Sequence, residues 1–405
     1  MSKNYLEEYE AGYTPRLVME EASRCLLCHD APCSMSCPAG TDPAKFIRSV
    51  RFKNIKGAAE TVRINNILGA ICARVCPTER YCQQGCSRSG IDKPIDIGRI
   101  QRYITDFEAS LKMDILEAKP LNGKTIAVVG SGPAGLSAAG YLAMEGFKVT
   151  IFEKSAKAGG YLRYGIPEYR LPNAVVDQEI KRIKKLGVEI ICNHKVEDLK
   201  ELRKEFDAVI VAAGHSKGKM LPMFMGKRYV KTAVDFLNEV KRKKGNVKLP
   251  ENVLVIGGGD VAMDTVTTLK LLGVKQVTDV VYETFEEFKA SKKELQGAQQ
   301  ENVSIIDGYV PTSIKGKTVR FKHRYIDSEI KIKADLIILA VGQYTEAGFL
   351  GLEVGKTQEV KETNNQVEGN LFVAGDIAHG EKTVVYAVRS GKEVCYAVKK
   401  YLGVK

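Results

Sequence analysis

Eight of the ten cysteines fall between Cys25 and Cys86. The first four run Cys25-x₂-Cys28-x₄-Cys33-x₃-Cys37-Pro38, and the second four run Cys72-x₃-Cys76-Pro77-x₄-Cys82-x₃-Cys86. The opening MSKNYLEEYEAGY lacks the basic-then-apolar layout of a signal peptide. A cytoplasmic setting is therefore expected, with thiols given to metal or redox chemistry and not to a disulfide scaffold. Thiolates this dense suit zinc or iron–sulfur clusters. Zinc sites usually come as separated C-x₂-C knuckles, whereas tighter fourfold groups with Cys-Pro steps favour cluster ligation. Structural zinc stays as the alternative. Cys192 and Cys395, far downstream, read as plain buried thiols.

Two glycine turns carry the second kind of chemistry. Gly130-Ser131-Gly132-Pro133-Ala134-Gly135 is a G-x-G-x-x-G set straight after a β-branched run. Its glycines allow the tight turn, close backbone approach to a pyrophosphate and helix–strand packing. Glu153 ends the second strand run, where a carboxylate can accept hydrogen bonds from ribose hydroxyls. Gly257-Gly258-Gly259-Asp260-Val261-Ala262 repeats the pattern as G-x-G-x-x-A, and Glu283 follows the next strand run. A carboxylate there favours a free 2′-hydroxyl, so NAD is expected over NADP. Lys289, Lys292 and Lys293 are nearby cations that read either as phosphate ligands or as a solvated helix face.

These residues need elements to hold them. Up to about residue 118 the texture is helical, as in Pro43 to Asn54 and Ile55 to Asn65, with no strand-like run between the cysteine groups. From Lys124 it turns α/β. KTIAVVG, SAAGYLAMEG and KVTIFEK form one parallel βαβ unit, and ENVLVIGGGD, VAMDTVTTLKLLG and QVTDVVYE form another. DAVIVAAG, ADLIILAVG and NLFVAGD are further buried-strand runs. The 405 residues carry a net charge of +12, but Lys and Arg are spread along the chain. Nucleic-acid binding would want them clustered with exposed aromatics. Their densest run, Lys241 to Lys244, reads as the solvated end of a helix, and the basic excess suits an acidic partner or anionic cofactor. No apolar run approaches the about 20 residues of a membrane-spanning helix.

The order GSGPAG, VIVAAG, GGGDVA, LAVG and NLFVAGDI resembles the two-dinucleotide-domain flavoproteins of glutathione-reductase type. The resemblance implies FAD on the first turn and NAD on the second, with the NAD domain inserted and the chain returning after about Gly342. It implies further FAD contacts from Gly375 and Asp376 in the last motif, from Lys154, Leu162 and Arg170, and from Thr383 and Val384 in EKTVVYA. Unlike the disulfide reductases, this sequence has no C-x-x-C or C-x₄-C pair after its first βαβ unit, so the electrons need another exit.

SRCLLCHDAPCSMSCPAGTDPAKFIRS, LGAICARVCPTERYCQQGC and PIDIGRIQRYITDFE are similar to the N-terminal cluster domain of dihydropyrimidine dehydrogenase. Length and motif order resemble most the NAD- and FAD-binding subunits of bacterial NAD-dependent dihydropyrimidine dehydrogenases. Such a relationship implies two [4Fe–4S] clusters. Cys25, Cys28, Cys33 and Cys86 would hold one; Cys37, Cys76, Cys82 and Gln101 would hold the other, leaving Cys72 spare. It implies an NAD-dependent oxidoreductase in a hetero-oligomer. Hydride would pass from NADH to FAD with no protein acid or base, and electrons would leave through the clusters. The partner would be an FMN- and iron–sulfur-bearing subunit that reduces uracil and thymine, since the chain stops at Lys405 without a pyrimidine site. The alternatives are electron input to glutamate synthase or to a ferredoxin:NAD(P) oxidoreductase. A zinc-stabilised dinucleotide-binding regulator without turnover is a reading from another class.

The expected fold is α/β, with two Rossmann-like domains behind an α-helical two-cluster domain. The expected boundaries are 1–118 for the clusters, 119–230 with 343–405 for FAD, and 231–342 for NAD.

Overall fold

Each of the four main N-terminal helices starts on a side-chain cap, which satisfies an N–H the helix itself cannot. Thr14 caps Pro15–Ser23 through the Leu17 N–H at 3.2 Å, and Asp42 caps Pro43–Arg51 through the Lys45 N–H at 3.3 Å. Asn54 accepts from Gly57 (2.9 Å) at the start of Ile55–Asn65, and Asp96 accepts from Arg99 (3.3 Å) at the start of Ile97–Ser110. Proline opens the first two helices, where its missing N–H is no loss. Their apolar stripes meet in one core of Val18, Phe46, Val50, Val62, Ile100 and Ile104, which also takes in Cys82. The thiols are thus held by a helical core and not by loops alone.

The structure, a computed structural model, describes residues 4–345, 347–355 and 359–404. Contacts divide it into two compact units. The larger comprises Glu10–Arg163, Asn173–His215 and the residues from Thr345 onward; the smaller comprises the residues up to Tyr9, Tyr164–Pro172 and Ser216–Tyr344.

Besides the cluster helices, the larger unit holds a six-stranded sheet ordered Gln366–Glu368, Leu371–Val373, Ala208–Val211, Thr125–Val129, Lys148–Phe152 and Glu189–Ile191. All neighbours are parallel except the first pair. Helix Pro133–Met144 lies against the last helix, Val384–Leu402. Gly391 permits that approach, because a Cβ there would stand 2.6 Å from the Ala134 carbonyl oxygen.

The smaller unit has a parallel five-stranded sheet, Val230–Thr232, Leu336–Leu339, Asn252–Ile256, Gln276–Val280 and Ser304–Ile306. A three-stranded antiparallel sheet, Tyr309–Lys315, Thr318–His323 and Glu329–Lys333, accompanies it. Two Rossmann-like sheets behind a helical N-terminal part are the architecture expected from the sequence. Among the described residues no helix is long and apolar enough to cross a membrane.

One expectation is corrected. Lys241 is not solvated: it is 4% exposed, and its ammonium donates to the Ile166 and Leu171 carbonyls at 2.5 and 2.9 Å. It therefore anchors the Tyr164–Pro172 segment within the smaller unit. Cys395 is buried as expected, and Cys192 is half-buried.

The larger unit is tied internally by charges that periodicity does not reveal. Arg63 is fully buried and donates to Glu108 through Nε (2.8 Å) and Nη2 (2.6 Å), and to Glu179 through Nη1 (2.7 Å). Arg182 closes the ring, with contacts of 2.9 Å to Glu108 and 2.5 Å to Glu179. Burial opposes the Arg63 charge, but the two carboxylates outweigh it and raise its pKa further. Glu179 and Arg182 lie on helix Asn173–Lys185, which belongs with the first dinucleotide sheet. The four charges thus join the cluster helices to that sheet.

Candidate functional site

The thiols form two groups. Cys25, Cys28, Cys33 and Cys86, drawn from both cysteine motifs, line one cavity together with Leu26, Ile47 and Ile97. This is the set that the resemblance assigns to one cluster. Burial pushes the Cys33 thiol up to about 11, and Cys86, Cys25 and Cys28 add to it as neighbouring charges. Cys25 is raised by the same cause.

In the second group, burial raises Cys76 well above the ordinary thiol range, with Cys72, Cys82 and Cys37 as its charged neighbours. Cys76 stands at the C-terminal end of helix Gly69–Val75. Cys37 sulfur accepts the Thr41 backbone N–H at 3.4 Å. Cys72 is buried beside Cys37, its pKa pushed up to about 12 by desolvation and eased by Asn66. Gln101 is 7% exposed, and its amide nitrogen donates to the Gly69 carbonyl at 2.7 Å. The amide oxygen, the atom an iron would take, is the one not used in that bond.

Thiols that burial keeps neutral are those a cationic centre can hold as thiolates. Among the described residues no three His, Cys, Asp or Glu side chains converge as a single metal ion requires. Four cysteines lining one cavity are the donor set that a four-iron cluster takes, so the residues present fit that group.

The first glycine turn fits a dinucleotide. Gly130 has φ +105°, and a Cβ there would meet the Ala212 carbonyl oxygen at 2.6 Å. Nothing stands within 4 Å of a Cβ at Gly132, which leaves room for a phosphate. At Gly135 a Cβ would meet the Gly130 oxygen at 2.0 Å, so the helix packs on the turn only with glycine. Helix Pro133–Met144 begins without a side-chain cap, so its first N–H groups remain for an anion. Ala134 is buried beneath that turn.

Glu153 is 5% exposed. Its Oε2 accepts from Ser131 N (3.0 Å) and Oγ (2.5 Å), and its Oε1 accepts from Ser155 N (2.7 Å). Gly375, at φ +79°, would bring a Cβ within 2.7 Å of Ala134 Cβ, so the last motif lies against the first turn. Asp376 follows it; desolvation raises its carboxyl, and His215 and Lys382 pull it back. Thr383 caps helix Val384–Leu402 through the Tyr386 N–H at 3.4 Å. Leu162 is fully buried and Lys154 is exposed.

Arg170 belongs to the smaller unit. It takes both Asp264 oxygens at 2.8 Å and Glu294 at 2.9 Å. Gly342, also in that unit, has φ +102°.

Sequence reasoning missed three features of this region. Gly160 has φ +51°, and a Cβ there would meet Gly132 Cα at 2.7 Å; the doubled glycine in KAGGYL was the available signal. Ser390 Oγ accepts the Gly375 N–H at 2.9 Å. Tyr81, beside Cys82, donates to Glu381 at 2.5 Å and so links the cluster helices to the EKTVVYA run.

The second turn, in the smaller unit, repeats the geometry. Gly257 would place a Cβ 2.4 Å from the Ala340 oxygen, while Gly259 faces open space. Asp260 opens helix Asp260–Leu271, and Glu283 Oε2 lies 2.7 Å from where a Gly258 Cβ would be.

The family described as dihydropyrimidine dehydrogenase domain II, 4Fe-4S cluster, matches residues 2–113, and the pyridine nucleotide-disulphide oxidoreductase family matches residues 124–391. The NAD-dependent dihydropyrimidine dehydrogenase subunit PreT of Escherichia coli (strain K12) is 50% identical over 404 residues, covering 99% of this chain and 98% of that subunit. The NADP(+)-dependent formate dehydrogenase subunit beta of Moorella thermoacetica is 30% identical over 426 residues, covering 92% of this chain and 60% of that one.

Among solved structures, Mycobacterium tuberculosis FprA in complex with NADPH aligns with TM-score 0.57 at 18% identity, over 70% of this chain and 85% of that one. The thioredoxin reductase of T. acidophilum aligns with TM-score 0.56 at 21% identity, over 69% of this chain and 99% of that one. Both of these likenesses speak to the fold alone.

Proposed function

This chain belongs to the pyridine nucleotide-disulphide oxidoreductases and, among them, to the family of NAD-dependent dihydropyrimidine dehydrogenase PreT subunits; from that premise we propose that it is the electron-input subunit of such an enzyme. It oxidises NADH and delivers the electrons to a catalytic FMN- and iron–sulfur-bearing partner that reduces uracil and thymine to 5,6-dihydropyrimidines. When bound, FAD supplies hydride acceptance and one-electron release, and the iron–sulfur clusters supply one-electron conduction. The observation that carries the reading is the joining, in one compact unit, of both thiol groups and the first glycine turn.

The chain's own residues bind and orient. Gly130, Gly132, Gly135 and the helix starting at Pro133 cradle the FAD pyrophosphate, Ala134 packs beneath them, and Glu153 takes the ribose. Gly375, Asp376, Thr383 and Val384 would bind the rest of the flavin nucleotide. Lys154, Leu162 and Arg170 remain assigned to the flavin by family likeness. Gly257, Gly259, Asp260 and Glu283 hold NADH, with Gly342 at the end of that part of the chain. Two clusters are proposed, one on Cys25, Cys28, Cys33 and Cys86, the other on Cys37, Cys76, Cys82 and Gln101. The three-part division at residues 118, 230 and 342 and a cytoplasmic setting belong to the same proposal.

The reading is tested by reconstitution. The purified chain should reduce dyes with NADH, and should turn over uracil only after the FMN subunit is added. Uracil turnover by the chain alone, or coupling to a glutamate synthase partner instead, would overturn it. NADH should be used better than NADPH by about tenfold or more, because Glu283 offers a 2′-phosphate only like charge. Steady-state kinetics check this, and Glu283→Arg should shift the preference toward NADPH.

A further inference from the structure

The residues after Glu283 fold back over the second glycine turn. Ala290 N donates to the Gly258 carbonyl at 3.1 Å, and Ser291 N donates to Asp260 Oδ1 at 2.6 Å. These two bonds hold the preceding residue, Lys289, beside the strand end. Its ammonium stands 2.7 Å from Glu283 Oε1, while Glu283 Oε2 faces the Gly258 backbone. The carboxylate is 13% exposed and the lysine side chain 74%. Arg324, another cation near this loop, is committed to Glu287 at 2.8 Å and to the Tyr282 carbonyl at 3.1 Å, and lies over the Tyr282 ring at 3.9 Å.

A bare carboxylate at this position rejects a 2′-phosphate by like charge. Here the carboxylate carries a cation on the oxygen away from the turn. We propose that Lys289 is a second specificity-determining residue of the coenzyme site: it moderates the rejection of 2′-phosphorylated nucleotides by Glu283. The inference rests on the second turn being the NADH site. Its consequence is that the phosphate-binding cation is already in place, masked by Glu283.

Equilibrium binding of 5′-AMP and 2′,5′-ADP to the FAD- and cluster-loaded protein tests this without turnover. The quantity read is the preference for 5′-AMP over 2′,5′-ADP. Lys289→Met, at an exposed site, should raise that preference about fivefold, the scale of an exposed ion pair. Glu283→Gln should lower it about tenfold by leaving Lys289 for the phosphate. The double variant should lose that gain. The proposal is overturned if Lys289→Met leaves the preference unchanged, or if the double variant keeps the gain of Glu283→Gln. A wild-type protein that prefers 2′,5′-ADP would refute the NADH reading instead, while the response to Lys289→Met still decides the role of Lys289.

Discussion

Serine in place of Cys76 should remove one cluster, about four irons per chain, and abolish electron delivery to the partner while NADH-driven dye reduction persists. Cys76 stands where the helix Gly69–Val75 ends, with Cys37, Cys72 and Cys82 as its neighbours. Burial around it penalises bare thiolates, so negative sulfur there calls for a cationic centre such as the cluster iron proposed above. A serine hydroxyl is a far poorer ligand and cannot replace it. Cys72→Ser is the companion variant. Cys72 is also buried beside Cys37, but under the proposed assignment of Gln101 as the fourth ligand its loss should leave both clusters in place. Iron and acid-labile sulfide per flavin check both variants. Loss of a cluster from Cys72→Ser, with Gln101→Ala retaining it, would make Cys72 the ligand.

Arg63→Met should destabilise the larger unit by about 3–5 kcal/mol, since it leaves Glu108 and Glu179 buried with much of their compensation removed. Against a net stability of about 5–15 kcal/mol that is a large fraction. The melting temperature should fall by about 10 °C, followed by release of flavin fluorescence. Arg63→Lys should recover little, because a single ammonium cannot span two carboxylates as the guanidinium fork does. Arg16→Ala is the control. Its pair with Glu20 is as short, at 2.7 Å, but the side chains are 87% and 54% exposed. Water and salt therefore screen that pair. A melt of Arg63→Met that coincides with that of Arg16→Ala would show that the buried network does not hold the unit together.

Chemistry that is local in the chain was legible before any coordinates. Each glycine turn is a short consecutive run between a strand and a helix, and the backbone found at Gly130, Gly135 and Gly257 follows from that local order. The helices Pro43–Arg51 and Ile55–Asn65 begin where their capping residues stand. The thiol spacing, too, announced cluster chemistry. What remained closed involves partners distant in sequence. Cys86 joins Cys25 only after the helices pack, and no spacing rule assigns it there without a known relative.

Lys241 looked like part of a solvated basic run, yet it is buried against carbonyls far back in the chain, at Ile166 and Leu171. Arg63, Glu108 and Glu179 are ordinary charged residues on amphipathic helices until folding brings them into one ring. Glu283 and Lys289 are close in sequence, but their pairing needs the loop pinned by Ala290 and Ser291 before the charges meet. Backbone conformation and helix capping depend on residues a few positions apart, so one stretch of sequence contains all their terms. Charge pairing and ligand grouping depend on distance and desolvation, which exist only once the chain has closed on itself.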